Sequence, residues 1–151
     1  MDTAQGGAHE PVIVGFLCSW CAYLAADAAG MARLGCAPNV RPIRVMCSSR
    51  VEPEFVLQAL RDGADGVLIA GCRPGACHYG DGNLKALRRF VLLQRLLDQF
   101  GVEHERVQFV WVAASEAAAL ADAVDRMARQ LRALEPLRWT ETVLRGEAPG
   151  W

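Results

Sequence analysis

The sequence predicts a single three-layer α/β domain whose four-stranded parallel sheet, ordered 2-1-3-4 as in flavodoxin-like folds, carries helices on both faces. Three observations lead there. Four short apolar runs alternate with four segments of helical length or periodicity, and strands alternating with helices imply right-handed crossovers and hence a parallel sheet. The second run contains Pro42, which cannot donate to a ladder and belongs at a sheet edge. With that strand outermost, strands one and three are neighbours and the chain reverses its direction across the sheet between them. At 151 residues the chain suits one domain with a real core.

Pro11 to Leu17 is a continuous apolar run with Val12, Ile13 and Val14, as expected of a strand buried on both faces. Cys18-Ser19-Trp20-Cys21 closes it. Ala22 to Leu34 is alanine-rich and reads as a helix stopped near Gly35 and Pro38. Val40 to Met46 is the edge strand, followed at once by Cys47. Pro53 to Arg61 is a helix with proline in its first turn, where the missing N–H costs nothing, and Asp62-Gly63 ends it.

Gly66 to Ala70 has the β-branched content of a third buried strand. The stretch Gly71 to Asn83 then packs two thiols and four glycines into thirteen residues, and a helix runs on to Phe100. Apolar residues cover more of that helix than the roughly 100° stripe a surface helix needs, which leaves some for a partner. Val107 to Val112 is a fourth strand, less buried because Gln108 interrupts it. Ser115 is placed to cap the last helix. There Leu120, Val124, Met127, Leu131 and Leu134 recur at spacings of three and four, opposite Asp122, Asp125, Arg129 and Arg132.

Residues 1–10 read as a flexible N-terminus, 11–135 as the folded domain, and 136–151, which begin at Pro136 and carry Trp139, Val143, Leu144 and Trp151, as a tail that could dock as an arm. Hydrophobic residues make up 52% and charged residues 22%, a globular composition. The net charge of −1 provides no field for steering toward DNA or RNA, so no nucleic-acid partner is expected. The first ten residues hold two acids and no Lys or Arg, and the apolar run behind them is too short for a signal peptide or a membrane span. A cytoplasmic protein with no membrane partner is the expectation, and there a cysteine cluster means metal or redox chemistry more often than disulfides.

Cys18, Cys21, Cys47, Cys72 and Cys77 all fall just past the C-terminal ends of strands one, two and three, where open α/β sheets bind ligands. Four thiolates complete a tetrahedral zinc site or the ligand set of a [2Fe-2S] or [4Fe-4S] cluster. Gly71, Gly75, Gly80 and Gly82 let backbone N–H groups approach an anionic cluster closely. A structural zinc site does not need so open a loop. His78 is expected to hydrogen-bond near the centre rather than to ligate it, and Trp20 and Tyr79 to shield it from water or to pack. Cys36 lies in the turn before strand two, at the far end of the sheet.

Two rival readings stand beside the cluster. A zinc-stabilised interaction module uses the same thiols without redox activity, and a thiol-disulfide oxidoreductase uses Cys18 and Cys21, which follow a strand and open a helix as redox dithiols do. Simple packing of the thiols is the bland alternative. A phosphate-binding loop lacks its Gly-Lys-Ser/Thr or full Gly-x-Gly-x-x-Gly element. No Cys/His/Asn or Ser/His/Asp arrangement points to bond chemistry, so no catalytic residue is assigned.

The chain resembles the delta subunit family of methyl-viologen-reducing hydrogenase, the MvhD iron-sulfur proteins, from about Pro11 to Leu134. The resemblance is carried by Cys18-Ser19-Trp20-Cys21, Pro38-Asn39-Val40-Arg41, Arg44-Val45-Met46-Cys47-Ser48, the stretch Val51 to Gly66, and Gly71-Cys72 through Cys77-His78-Tyr79 to Gly82-Asn83. It implies an electron-carrying component of an oxidoreductase complex that holds one [2Fe-2S] cluster on four of Cys18, Cys21, Cys47, Cys72 and Cys77. It further implies one-electron relay between a hydrogenase or formate dehydrogenase module and the flavin-containing A subunit of heterodisulfide reductase. Arg73 and Ala76 stand where the family's loop leads one to expect His and Asp.

Overall fold

The structure, a computed structural model, describes residues 9–139. The expected flexible N-terminus, up to residue 8, and the tail from 140, with Val143, Leu144 and Trp151, lie outside the described residues. The chain runs β1 (Ile13–Cys18), α1 (Ala22–Met31), β2 (Val40–Val45), α2 (Pro53–Arg61), β3 (Gly66–Gly71), α3 (Gly82–Gln99), β4 (Val107–Trp111) and α4 (Ala117–Arg132), with single 3₁₀ turns at Ser48–Arg50 and His104–Arg106. The sheet has the order β2-β1-β3-β4, and every pairing in it is parallel.

Alternation along the strands divides the core between two faces. Phe16, Val67 and Ile69 pack with Val56 and Leu60 of α2 and Leu93 and Leu97 of α3. Ile13 and Leu68 meet Val124, Met127 and Leu131 of α4, while Leu17 and Ala70 meet Ala22 and Ala25 of α1. The alanines of α1 allow that close packing, and α4 buries the apolar stripe its sequence shows. Pro42 does sit in the edge strand, whose four middle residues are exposed. Leu137 and Trp139 fold back onto the α2/α3 side of the core, and the Trp139 ring lies 6.0 Å from that of Phe100.

Two local expectations are corrected. The first helix ends at Met31, three residues before Leu34, because Arg33 turns left-handed (φ 52°). The N–H groups of Arg33 and Leu34 then close back onto the carbonyls of Gly30 and Ala29, the hydrogen-bonded stop usually made by glycine. Ser115 is not the cap of α4; Glu116 occupies that position and turns its carboxylate back to accept the Ala113 N–H at 2.7 Å.

At the end of the sheet away from the cysteines, Arg106 is buried to 2% exposure. Its guanidinium pairs with Glu103 and donates to the carbonyls of Asp65 and Glu135. Those contacts tie the β3 entry, the β4 entry and the segment after α4 together.

Candidate metal centre

The parallel register brings the ends of three strands level, so three loops leave the sheet side by side. Cys18 is the last residue of β1 and Cys21 precedes α1. Cys47 follows β2, Cys72 follows β3, and Cys77 faces Gly80 in a one-bridge turn before α3. The sulfurs of Cys18, Cys21 and Cys72 all lie within 4.8 Å of one another and are buried. Those of Cys18 and Cys72, from neighbouring strands, are 3.7 Å apart.

Cys47 and Cys77 both approach Gly82. A Cβ on Gly82 would stand 2.6 Å from the Cys47 sulfur and 3.4 Å from the Cys77 sulfur, so the missing side chain leaves room for both thiols. All five thiols that the sequence places past the strand ends are therefore at one end of the sheet. Cys36 is exposed in the turn before β2, away from them.

Backbone N–H groups point into the thiol set, as an anionic centre requires. Cys18 accepts from the Cys21 thiol and from the backbone N–H of Trp20 and of Cys21, and these bonds, the thiol's first, pull it down to about 5 against the cost of burial. Cys21 is pushed up, first because its proton is held against Cys18 and then by burial. Burial pushes Cys72 up, opposed in part by the Cys21 thiol and the N–H of His78. Three thiols this close together form a set that soft or borderline metal ions take up.

The groups around the sulfurs are fixed by distant parts of the chain. The His78 ring stacks on Trp20, centroids 3.6 Å apart, and the Trp20 Nε1–H donates to the Tyr79 hydroxyl at 3.2 Å. Gly75 has a left-handed φ of 81° in the turn closed by the Ala76 N–H and the Arg73 carbonyl, so it shapes the loop by its backbone conformation. Arg73 forks onto Glu116 before α4. That contact pulls the Glu116 carboxyl down to about 2, helped by the Ala113 N–H.

Asn83, which ends the last motif of the resemblance, has a role that the sequence reading does not assign. Its side chain is 1% exposed, and Nδ2 donates to the carbonyls of Cys72 and Arg73 at 2.8 and 2.9 Å. It pins the start of the cysteine loop to the start of α3. An asparagine directly after a glycine at a helix start is the available signal, since such residues often bond nearby backbone. Ser19, similarly, accepts from Arg44 Nε and donates to the Val45 carbonyl, which fastens the first loop to the edge strand.

The pattern of the family described as methyl-viologen-reducing hydrogenase, delta subunit, matches residues 13–135, a span that holds every one of these thiols. The chain belongs to that family. It is 49% identical over 127 residues to the iron-sulfur D subunit of the F420-non-reducing hydrogenase vhc of Methanococcus voltae, covering 84% of this chain and 88% of that one. To the iron-sulfur D subunit of the F420-non-reducing hydrogenase of Archaeoglobus profundus it is 48% identical over 130 residues, covering 86% and 95%. It is also 43% identical over 136 residues to the A subunit of the ferredoxin/F(420)H(2)-dependent CoB-CoM heterodisulfide reductase of Methanosarcina acetivorans, covering 88% of this chain but 17% of that much longer one. In that relative the region similar to this delta-subunit chain is one part of a larger polypeptide.

Proposed function

We propose that this delta-subunit family member is an electron-transfer protein that holds one [2Fe-2S] cluster on four of Cys18, Cys21, Cys47, Cys72 and Cys77. The observation that carries the reading is the convergence of five thiols from three neighbouring loops, three of them within 4.8 Å of one another and the other two beside Gly82. Such a cluster takes up and gives up one electron and makes no bond to substrate. The chain's own contribution is to exclude water with Trp20, His78 and Tyr79, and to aim N–H groups at Cys18 and Cys72. Hydrogen bonds to ligand sulfur tune such a centre's potential.

The partners that fit are a hydrogenase or formate dehydrogenase module on one side and the flavin-bearing A subunit of heterodisulfide reductase on the other, in the cytoplasm. Relatives named as hydrogenase iron-sulfur subunits support the first. Relatives in which the matching region makes up 17% or 16% of the A subunit of a heterodisulfide reductase support the second, because fusion keeps two functions at high effective concentration. Among the described residues no helix is long and apolar enough to cross a membrane.

The test is anaerobic purification followed by visible absorption, EPR of the reduced protein, and iron and zinc counts on one sample. Two irons per chain and an EPR signal that appears on reduction are expected. Four of the five single Cys→Ser variants at these positions should lose that signal, and Cys36→Ser should keep it. A colourless chain with one zinc would replace this reading with the interaction module.

A further inference from the structure

The sheet has two edges, and only one of them is blunted. β2 carries Arg41, Pro42 and Arg44, the charges and proline that keep an edge strand from pairing with another chain. β4 has neither a charge nor a proline, and among the described residues no strand pairs with its outer side. The Val112 N–H bonds to the Gly71 carbonyl of β3. Successive strand residues alternate in direction, so Val107, Phe109 and Trp111 turn their N–H and C=O groups outward. Of these groups, the Val107 carbonyl already accepts from the Gln94 side-chain amide.

One flank of α3 continues the surface beside that edge. Leu84, Leu87, Val91, Gln94 and Asp98 recur at spacings of three and four and share a flank. Gln94 bonds to Val107, and Asp98 pairs with His104 in the turn before β4, which sets this flank toward the free edge. Arg89, on the opposite flank, reaches Ser49 and Glu52. Val91 is 43% exposed, and Leu84, Leu87, Phe109 and Trp111 are half-buried. Apart from Asp98, which His104 answers, the strip is uncharged. Its rim carries both signs, with Glu105, Arg88 and Arg95 exposed.

We propose that this strip is the interface with a second copy of the chain, in which the two β4 edges pair antiparallel about a two-fold axis at Phe109 to form one continuous sheet. Identical edges meet without repulsion only when they are neutral or self-complementary, and β4 is neutral. Centred on Phe109, the pairing sets Val107 opposite Trp111 and Phe109 opposite itself, so each outward N–H finds a carbonyl. α3 lies over β3 and β4, so the two α3 helices stand two strand spacings apart, roughly 10 Å. Helices pack at that distance, and Leu87 and Val91 of the two copies then meet. The chain's own continuation fits the edge less well. α4 shares its face of the sheet with α1, so a parallel strand reached through α4 and placed beyond β4 would need a left-handed crossover. The proposal does not depend on the electron-relay reading.

The test uses the iron-loaded full chain without oxygen, with sedimentation to give its mass and hydrogen exchange to report single amides. Wild type should sediment as a dimer that dissociates on dilution, and the Phe109 and Trp111 amides should exchange several-fold more slowly in the dimer than in the monomer. Val91→Glu should raise the dimer Kd about tenfold or more, with iron content unchanged. Leu92→Glu, one residue along and 65% exposed, should dimerise as wild type does. Three results would each overturn the interface: a wild-type chain that is monomeric at every concentration, equal exchange of the two amides in dimer and monomer, or dimerisation kept in Val91→Glu and lost in Leu92→Glu. Protection of those amides only when the purified A subunit of heterodisulfide reductase is added would overturn it too, and would assign the edge to a strand of that protein. A chain that dimerises through β4 but takes up no iron would keep the interface and overturn the relay reading alone.

Discussion

Trp20 and His78 lie ring on ring, 3.6 Å between centroids and 11° from parallel, and each directs its backbone N–H at a different thiol, Cys18 and Cys72. The contact locks two cysteine loops to each other over the sulfurs. Truncating the indole removes the cover and the stack but leaves the N–H groups and every thiol in the chain. Trp20→Ala is therefore expected to load iron fully and to bleach several-fold faster than wild type in air, with Trp20→Phe close to wild type because a ring remains. Absorbance decay after exposure to oxygen measures this. Equal decay rates would show that the stack does not keep solvent and oxygen from the centre.

Gly82 is the first residue of α3, where alanine would ordinarily be tolerated or mildly favoured over glycine. Here an added Cβ would sit 2.6 Å from the Cys47 sulfur, a distance at which one of the two must move. Gly82→Ala should accordingly fold with a lower melting temperature when metal-free, because the displaced Cys47 side chain is buried, and the folded variant should bind less than half the wild-type iron after reconstitution. Full iron content in this variant would mean that the Cys47 thiol is free to go elsewhere.

How much of this is legible in the sequence depends on the range of the interaction. Pro42 marks the edge strand on its own, because a missing N–H is a property of one residue, and the edge then implies the 2-1-3-4 order. The five thiols are legible as strand-end residues for the same reason. Contacts between loops are not: Trp20 and His78 are far apart in the chain, and no local period pairs them. Nothing in the local sequence marks Arg106, and only the fold brings the carbonyls of Asp65 and Glu135 to its guanidinium. The start of α4 offers two adjacent polar side chains, Ser115 and Glu116, and packing with Arg73 and Ala113 selects Glu116.

Asn83 holds the Cys72 and Arg73 carbonyls from a buried position. Alanine there leaves two acceptors without donors, and aspartate presents them with negative charge. Each unpaired buried group costs about 1–3 kcal/mol, so Asn83→Ala should lose about 2–3 kcal/mol, or roughly 5–10 °C in melting temperature for a chain of this size. Asn83→Asp should lose at least as much. Thermal denaturation of the metal-free variants checks this, and an unchanged melting temperature would show that the loop does not depend on the amide.

The Arg73–Glu116 pair joins the cysteine loop to α4, and its pH dependence has a definite sign. The Glu116 carboxyl is held at about 2, below its ordinary 4.5, by the Arg73 guanidinium first and the Ala113 N–H second. A carboxyl depressed on folding contributes stability that is fully present above the unfolded value and is lost as pH falls through the folded one. Glu116→Gln removes the charge but keeps an oxygen that can accept from Ala113. The melting-temperature difference between wild type and this variant, measured on metal-free protein, should hence be constant above about pH 5 and shrink toward zero as pH approaches 2. Both side chains reach solvent, so the difference should also shrink in about 1 M salt, where screening acts over about 3 Å. A difference that persists at low pH and high salt would assign the effect to packing at the start of α4 rather than to the ion pair.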